Sequence, residues 1–505
     1  MTDIRFHHQQ QEYDDHRYSP HRALLWQMRT GKSRAVIESA YALEVQFEIN
    51  GVLVIAPNGV HRQWAEIQIP QWYGLSVDAF SWRLSDPKNS EKFELWSLFL
   101  GVRKHLHWLC VNMESLIHGN TMEAIRVFKK AVGPAMLVVD ESHHFARPGA
   151  KRTAVARGLG RIFEFRRILT GTPIENSPFQ AFSQFEILER AALGHTTYGG
   201  TNKKSKSKVP CPTCGVRCRG FKDEFGVFEI ERRGGHMVAE LAEYQNLDRL
   251  KARMSRYASV VLREDCEDLP PLQRDKRIVE MTPTQKRWWD TVKKKELENI
   301  EKLGQKKVFA GGAALVKLQQ IEGGYWIHSK SNDEFGVPIP QKIEEIVPPK
   351  DNPKMLILED EISWYDGQVI VWFEYLHEID AACEFLRGKG MRCGVFSGRS
   401  QKTRDRDLAA FMAGKLRLLL ATPAAGGEGR NMSAAGKIIW YSHTPNAVTR
   451  SQANERATKV GGKSVQIVDM IAPVGGYFLK LTDDKIELAD DVSRNGLKTI
   501  LEGLR

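Results

Sequence analysis

No stretch of this chain approaches the ~18 consecutive apolar residues of a membrane-spanning helix. Its opening residues, MTDIRFHHQQQ, lack the apolar centre of a signal peptide. The expectation from these two absences is a protein with no membrane partner that works in the cytoplasm. Cysteine is scarce as well. Seven cysteines among 505 residues exclude a disulfide framework. Cys110, Cys383 and Cys393 each stand singly beside apolar residues and read as small core residues of a reduced protein. The chain has no internal repeat and no nuclease or protease constellation.

What is present is length and positive charge. At about 100–200 residues per domain, the chain has room for two or more domains with real cores. A net charge of +11 and a pI of about 9.2 favour a polyanionic partner, although a merely basic soluble protein would show the same excess. Short apolar runs at residues 52–56, 136–139, 369–373, 418–421, 438–441 and 465–468 read as buried parallel strands, with amphipathic helical stretches between them. The pattern predicts an α/β fold with two parallel-sheet lobes. The expected domains are residues 1–190 and 352–505 for the lobes, 191–262 for an insertion, and 263–351 for a linker and helical protrusion. Residues 284–320 carry a charged helical pattern with Trp288, Trp289, Val292 and Leu297 as an apolar stripe.

Two short segments carry chemistry. Arg29, Thr30, Gly31, Lys32 and Ser33 follow an apolar segment at residues 23–26 and open a helical pattern at 35–43. A loop between strand and helix points backbone N–H groups at phosphate oxygens. Gly31 permits close approach, Lys32 neutralises the β- and γ-phosphates, and the Ser33 hydroxyl ligates Mg2+. Trp26 stands where the phosphate-loop pattern has its first glycine. The strand LVV ending in Asp140-Glu141 is the complement such a loop needs: Asp140 to hold Mg2+, and Glu141 to orient and deprotonate water. The bland alternative is two solvated acids at a strand end.

From here the chain resembles the superfamily-two helicases, and within them the Swi/Snf-like DNA translocases, in segments that run in order along nearly its whole length. FHHQ, with Gln9 as base reader, resembles the adenine-recognition segment. VLVIAPNGVHRQW resembles motif Ia, CVNMESL the next DNA-side motif, LTGTPIEN motif III, VIVWF motif IV, ATPAAGGEGRN motif V, and QANERATKVG motif VI. The compact layout is similar to versions carried by bacteriophages, so a bacterial or phage-infected cell is the expected setting. The resemblance implies a monomeric motor that uses ATP and Mg2+ between two RecA-like lobes. Lys32, Asp140 and Glu141 would come from the first lobe, with Gln452, Arg456 and Lys459 from the second, and Gly427 and Glu428 at the nucleotide. Implied DNA contacts are Asn58, Arg62, Gln63 and Asn112 in the first lobe, with Ser397, Arg399 and Thr422 in the second. They would be made mostly to phosphates, without sequence preference. Trp64 reads as a packing residue, with base stacking as the other possibility. His143 and His144 read as coupling residues.

Three positions depart from the family pattern. Arg29 replaces a glycine, Lys459 replaces the second motif VI arginine, and PVGGYF (residues 473–478) replaces the usual ending. A separate cluster, Cys211, Cys214 and Cys218 with His236 downstream, has zinc-knuckle spacing, with His195 or Cys266 as alternative fourth ligands and three reduced surface thiols as the bland reading. Lys203, Lys204, Lys206 and Lys208, together with Lys293, Lys294 and Lys295, would reach a second arm of branched DNA or lie simply as solvated surface. The function expected is an ATP-dependent DNA translocase or helicase acting on duplex or branched DNA. The alternatives are an ATP-binding DNA clamp with little turnover, and an RNA helicase.

Overall fold

The computed structural model describes residues 5–27, 29–73, 78–84, 86–100, 106–171, 174, 177–199, 220–233, 236–262, 266, 272–303, 307–328, 342–426, 432–457, 464–480 and 482–483. They fall into two compact units, one within Met1–Asp268 and one within Leu269–Gly426 and Asn431–Asp484.

The first unit contains strands β1 (His21–Trp26), β2 (Gly51–Ala56), β3 (Asp78–Trp82), β4 (His107–Asn112), β5 (Ala135–Asp140), β6 (Phe165–Leu169), β7 (Gly226–Arg233), β8 (His236–Tyr244) and β9 (Ala258–Val261). Among the described residues, seven of them form a parallel sheet in the order β3-β4-β2-β5-β6-β1-β9. β7 and β8 pair antiparallel as a separate hairpin. The apolar runs are strands because helices cover both faces of a parallel sheet. Val52, Leu53, Val54 and Ile55 are wholly buried, each burial contributing roughly 1.5–3 kcal/mol. The sheet extends beyond residue 190, because β9 pairs with β1. Phe221, Phe225, Leu247 and Leu250 also join the first-lobe core.

The second unit contains β10 (Leu272–Ile278), β11 (Tyr325–Ile327), β12 (Ile343–Glu345), β13 (Val369–Trp372), β14 (Cys393–Phe396), β15 (Leu418–Ala421), β16 (Lys437–Trp440) and β17 (Val465–Ile471). Its parallel sheet runs β10-β17-β16-β13-β15-β14, and β11 and β12 pair antiparallel. The charged stretch forms two helices, Pro283–Leu303 and Lys307–Glu322. Trp289, Leu318 and Ile321 bury against Val474 and Phe478, with Trp288 and Val292 packed alongside. This seats the unusual PVGGYF ending: the backbone N–H groups of Val474 and Gly475 donate to the Glu322 carboxylate at 2.6 and 3.3 Å. No helix among the described residues is long and apolar enough to cross a membrane.

Candidate active site

In open parallel sheets, ligands gather outside the carboxyl ends of the strands. In the first lobe β1 ends at Trp26 and leads into the phosphate loop, while β5 ends at Asp140. β6 lies between these two strands and leads into Thr170. Gly31, at φ +87°, is the N-cap of the helix Lys32–Val45. A Cβ at Gly31 would meet Gln9 Nε2 at 1.8 Å, so any other residue would displace the Gln9 amide as well as strain the left-handed backbone. Gln9 is buried and applies its amide to this loop: Nε2 lies 3.4 Å from the carbonyls of Thr30 and Gly31, and Oε1 accepts from Phe6 N–H. The same helix sets His8 Nε2 2.7 Å from Thr30 O. Thr30 turns its hydroxyl inward to Gln27 O at 2.7 Å. Lys32 Nζ donates to Trp26 O at 2.7 Å and Gln27 O at 3.1 Å, the carbonyls that phosphate oxygens would replace. Arg29 takes φ +67°. The backbone is strained at this departure from the family pattern, since a left-handed L-residue costs roughly 1–2 kcal/mol. Beside the loop lies a cavity of about 680 Å³ lined by Phe6, His7, His8, Glu12, Trp26 and Cys266. Gln9 is not part of its lining.

Asp140 and Glu141 are buried. Burial, reinforced by the neighbouring charge of Glu141, pushes the Asp140 carboxyl up to about 6. Burial also opposes ionisation of Glu141, but the hydrogen bond and charge of His143, with help from Lys32, overcome it and hold that carboxyl below its ordinary value. His143 Nδ1 lies 3.3 Å from Glu141 Oε2 and 3.0 Å from Thr170 Oγ1, so the imidazole joins the acid pair to the segment after β6. Glu141 itself has φ +49° and ψ +54°, a strained conformation of the kind that collects at functional sites. Asp140 accepts from Glu141 N–H at Oδ1 (3.0 Å) and from Trp64 Nε1 at Oδ2 (2.8 Å). Trp64 is fully buried, which confirms packing and leaves no ring face for a base.

These donors fit the ATP and Mg2+ that the sequence resemblance implies. The Ser33 hydroxyl and the buried Asp140 carboxylate are hard oxygen ligands suited to Mg2+, which would relieve the burial penalty on Asp140. The Cβ-free turn at Gly31, at the start of a 14-residue helix, fits a phosphate chain.

In the second lobe the helix Ala447–Glu455 carries Gln452, half-buried, and ends at Arg456, which is buried. Arg456 Nη1 donates to Pro423 O at 3.3 Å, and the guanidinium lies 5.8 Å from the Trp372 ring centroid. Trp440 Nε1 donates to Asn454 Oδ1 at 2.8 Å and ties the helix to the sheet. Gly427, Glu428 and Lys459 lie outside the described residues, as do Cys211, Cys214 and Cys218, and nothing is described of the His236 side chain. Of the alternative fourth ligands, His195 pairs with Glu224, and Cys266 Sγ lies 3.8 Å from His8 Nδ1. Among the described residues, no group of three or more His, Cys, Asp or Glu is placed to hold a metal.

The nucleic-acid candidates are distributed unevenly. Asn58 is exposed, and Arg62 and Gln63 are half-buried, in the segment leaving β2. Arg62 Nε has no hydrogen-bond partner among the described residues. Asn112 spends its Oδ1 on Glu114 N–H at 2.9 Å, capping a short turn. In the second lobe Ser397 and Thr422 are buried. Arg399 is exposed and paired with Asp380 through two hydrogen bonds of 2.6 and 2.8 Å.

Comparison with known proteins gives this geometry a family. The chain matches the SNF2-related domain over residues 6–322 and the helicase conserved C-terminal domain over residues 353–461. It is 24% identical over 341 residues to an uncharacterised ATP-dependent helicase of Mycoplasma pneumoniae, covering 66% of this chain and 28% of that protein. It is 22% identical to a mouse chromodomain-helicase-DNA-binding protein 1-like, covering 73% and 37% of the two chains. An uncharacterised ATP-dependent helicase of Bacillus subtilis is 24% identical, with 71% and 59% covered. The chain thus spans less than two thirds of each of these relatives. A solved structure of the Sulfolobus solfataricus SWI2/SNF2 ATPase core in complex with dsDNA is 17% identical, with 97% of this chain and 92% of that one covered and a TM-score of 0.38. With the first match alone spanning more than half of its length, the chain belongs to the SNF2-related family.

Proposed function

We propose that the chain is a DNA-stimulated ATP hydrolase that translocates on DNA. The observation that carries this reading is the gathering of Lys32, Asp140 and Glu141 on one sheet edge, with Lys32 acting electrostatically on both carboxylates. Lys32 exchanges its loop carbonyls for phosphate oxygens. Ser33 and Asp140 would hold Mg2+, which would supply positive charge to offset that of the phosphates. Glu141, kept ionised beside His143, orients water and accepts its proton. Gln452 and Arg456, with Lys459 as a further cation, are assigned to the transition-state charge.

DNA phosphates meet Asn58, Arg62 and Gln63, and the unsatisfied Arg62 Nε favours an anionic partner. The finer reading is a preference for forks or junctions. Its support is the net charge and the exposed Lys293, Lys294 and Lys295 on the helix Pro283–Leu303. The proposed zinc knuckle rests on the spacing of Cys211, Cys214 and Cys218; metal analysis finding no zinc, with all three thiols reactive, would remove it. We place the chain in the cytoplasm of a bacterial or phage-infected cell, as a monomer, in keeping with its bacterial relatives. Cell fractionation and sedimentation check this, and a membrane-bound or dimeric species would overturn it. A clamp with little turnover is the second reading, favoured by the strained Arg29.

One experiment separates these readings: phosphate release with no nucleic acid, single-stranded DNA, linear duplex, forked or four-way DNA, and RNA. Duplex stimulation supports the motor, and greater stimulation by branched DNA supports junction preference. Turnover that stays low with every DNA identifies a clamp. Stimulation by RNA alone overturns the DNA assignment.

A further inference from the structure

We propose that Trp64 is a positioning residue for the metal-holding carboxylate of Asp140, and that through it the segment Asn58–Gln63 acts on the nucleotide site. The second half rests on the DNA reading given above.

The geometry is specific. The indole Nε1 of Trp64 donates to Asp140 Oδ2 at 2.8 Å across 76 positions of sequence, and both side chains are buried. A buried indole N–H needs an acceptor, and many carbonyls would serve for packing alone. Here the acceptor is the one carboxylate expected to hold the cation. With Glu141 N–H on Oδ1, each Asp140 oxygen receives one fixed donor, so the carboxylate plane is set before any ligand arrives. Such outer partners orient metal ligands and typically contribute 10–100-fold in metal affinity.

The segment around Trp64 has the form of a lever. Gly59 at φ +88° starts the short helix Val60–Gln63, and Trp64–Gln68 continues it as a π-helical turn. Ile69 N–H reaches back to Trp64 O, and Trp64 N–H bonds to Val60 O and His61 O. A π turn is an uncommon, less favourable geometry that recurs at functional sites. In this chain it follows directly on Arg62 and Gln63. A phosphate that pulls on those side chains therefore moves the backbone that aims the indole. The coupling is reciprocal: DNA must alter metal-nucleotide affinity by the factor through which metal-nucleotide alters DNA affinity.

The test uses the full chain with ADP and Mn2+ as the spectroscopic probe. Electron paramagnetic resonance titration measures bound Mn2+ with and without linear duplex DNA. Trp64→Phe removes the N–H donor and keeps an aromatic ring. It should weaken Mn2+ binding about tenfold and abolish the change in Mn2+ affinity that DNA produces in the parent chain. Trp64→His, which keeps a ring N–H, should recover part of both. Unchanged Mn2+ affinity in a folded Trp64→Phe chain overturns the positioning role. Weakened affinity with the DNA effect intact overturns the coupling alone. A parent chain whose Mn2+ affinity ignores DNA overturns the coupling and the DNA reading beneath it, while the metal titration still decides the positioning role. If neither variant folds, hydrogen exchange on the parent chain takes their place. Mn2+–ADP should then slow exchange of the Trp64 indole and of amides 64–69, and no slowing there overturns the proposal.

Discussion

Arg450 donates through Nη2 to Asp469 Oδ1 at 2.6 Å, with both residues almost wholly buried. Its other terminal nitrogen lies 3.1 Å from His443 Nδ1. Burial, with the Arg450 charge beside it, holds that imidazole neutral. This cluster fastens the helix bearing Gln452 and Arg456 to β17.

Removing one partner strands a buried charge, which typically costs about 3–5 kcal/mol. Arg450→Met should therefore destabilise the second lobe by that order in urea unfolding. Pairing it with Asp469→Leu should restore most of the loss. A single substitution with no effect on the transition would show that the ion pair does not hold the helix.

Lys32→Ala and Glu141→Gln should both abolish phosphate release but part company in binding. The first loses a phosphate contact. The second keeps it and lacks only the base, so it should retain ATP and hold DNA longer. Fluorescent-nucleotide titration and DNA dissociation rates distinguish them. Near-normal hydrolysis by Glu141→Gln would remove Glu141 from the chemistry.

Arg456→Ala should lose turnover with little loss of nucleotide affinity, because its cation is needed when charge develops in the transition state. Lys459→Arg should keep or raise turnover by restoring a planar fork of donors. Steady-state kinetics beside nucleotide titration checks both, and normal turnover by Arg456→Ala would remove Arg456 from the chemistry.

Arg29→Gly should relieve the left-handed backbone at φ +67° and stabilise the first lobe by about 1 kcal/mol. A rise in Tm with turnover preserved is the expected result. A rise in Tm with turnover lost would assign the Arg29 guanidinium a phosphate contact.

The second lobe should also lose stability as pH climbs. Burial pushes the Glu378 carboxyl up from 4.5 to about 7, against the opposing pull of Lys354 and of the Ser442 hydroxyl. The unfolded chain releases this proton above about pH 4.5, while the folded chain keeps it to about pH 7. This group's contribution is therefore full below the lower value and is lost across that window. Glu378→Gln should flatten the pH dependence of unfolding between those limits, and an unchanged slope would acquit Glu378.

Much of the fold and of the site is legible in the sequence alone. β2 and β5 are covered on both faces, so their sequences GVLVIA and AMLVVD announce buried strands. The phosphate loop and acid pair were legible for a different reason: phosphate and metal chemistry demands fixed residue types close together in sequence. β10 is an edge strand, and in LQRDKRI Arg274 and Lys276 are exposed while Asp275 and Arg277 are half-buried, so no apolar run marks it. The bonds Trp64–Asp140, His143–Thr170 and Arg450–Asp469 escaped because each joins segments that only the folded sheet brings together. The one available signal was Trp64 itself, a large buried-type side chain with a polar N–H that must be satisfied.

Gln9 pressed onto Gly31 means that the earliest described helix, His7–His16, works as part of the phosphate loop. An expression boundary drawn to trim that helix would leave the carbonyls of Thr30 and Gly31 without their present partners, although no segment usually held to be catalytic would be missing. Such a shortened protein would keep its sheet and its acid pair and still present a misshapen cradle to the nucleotide.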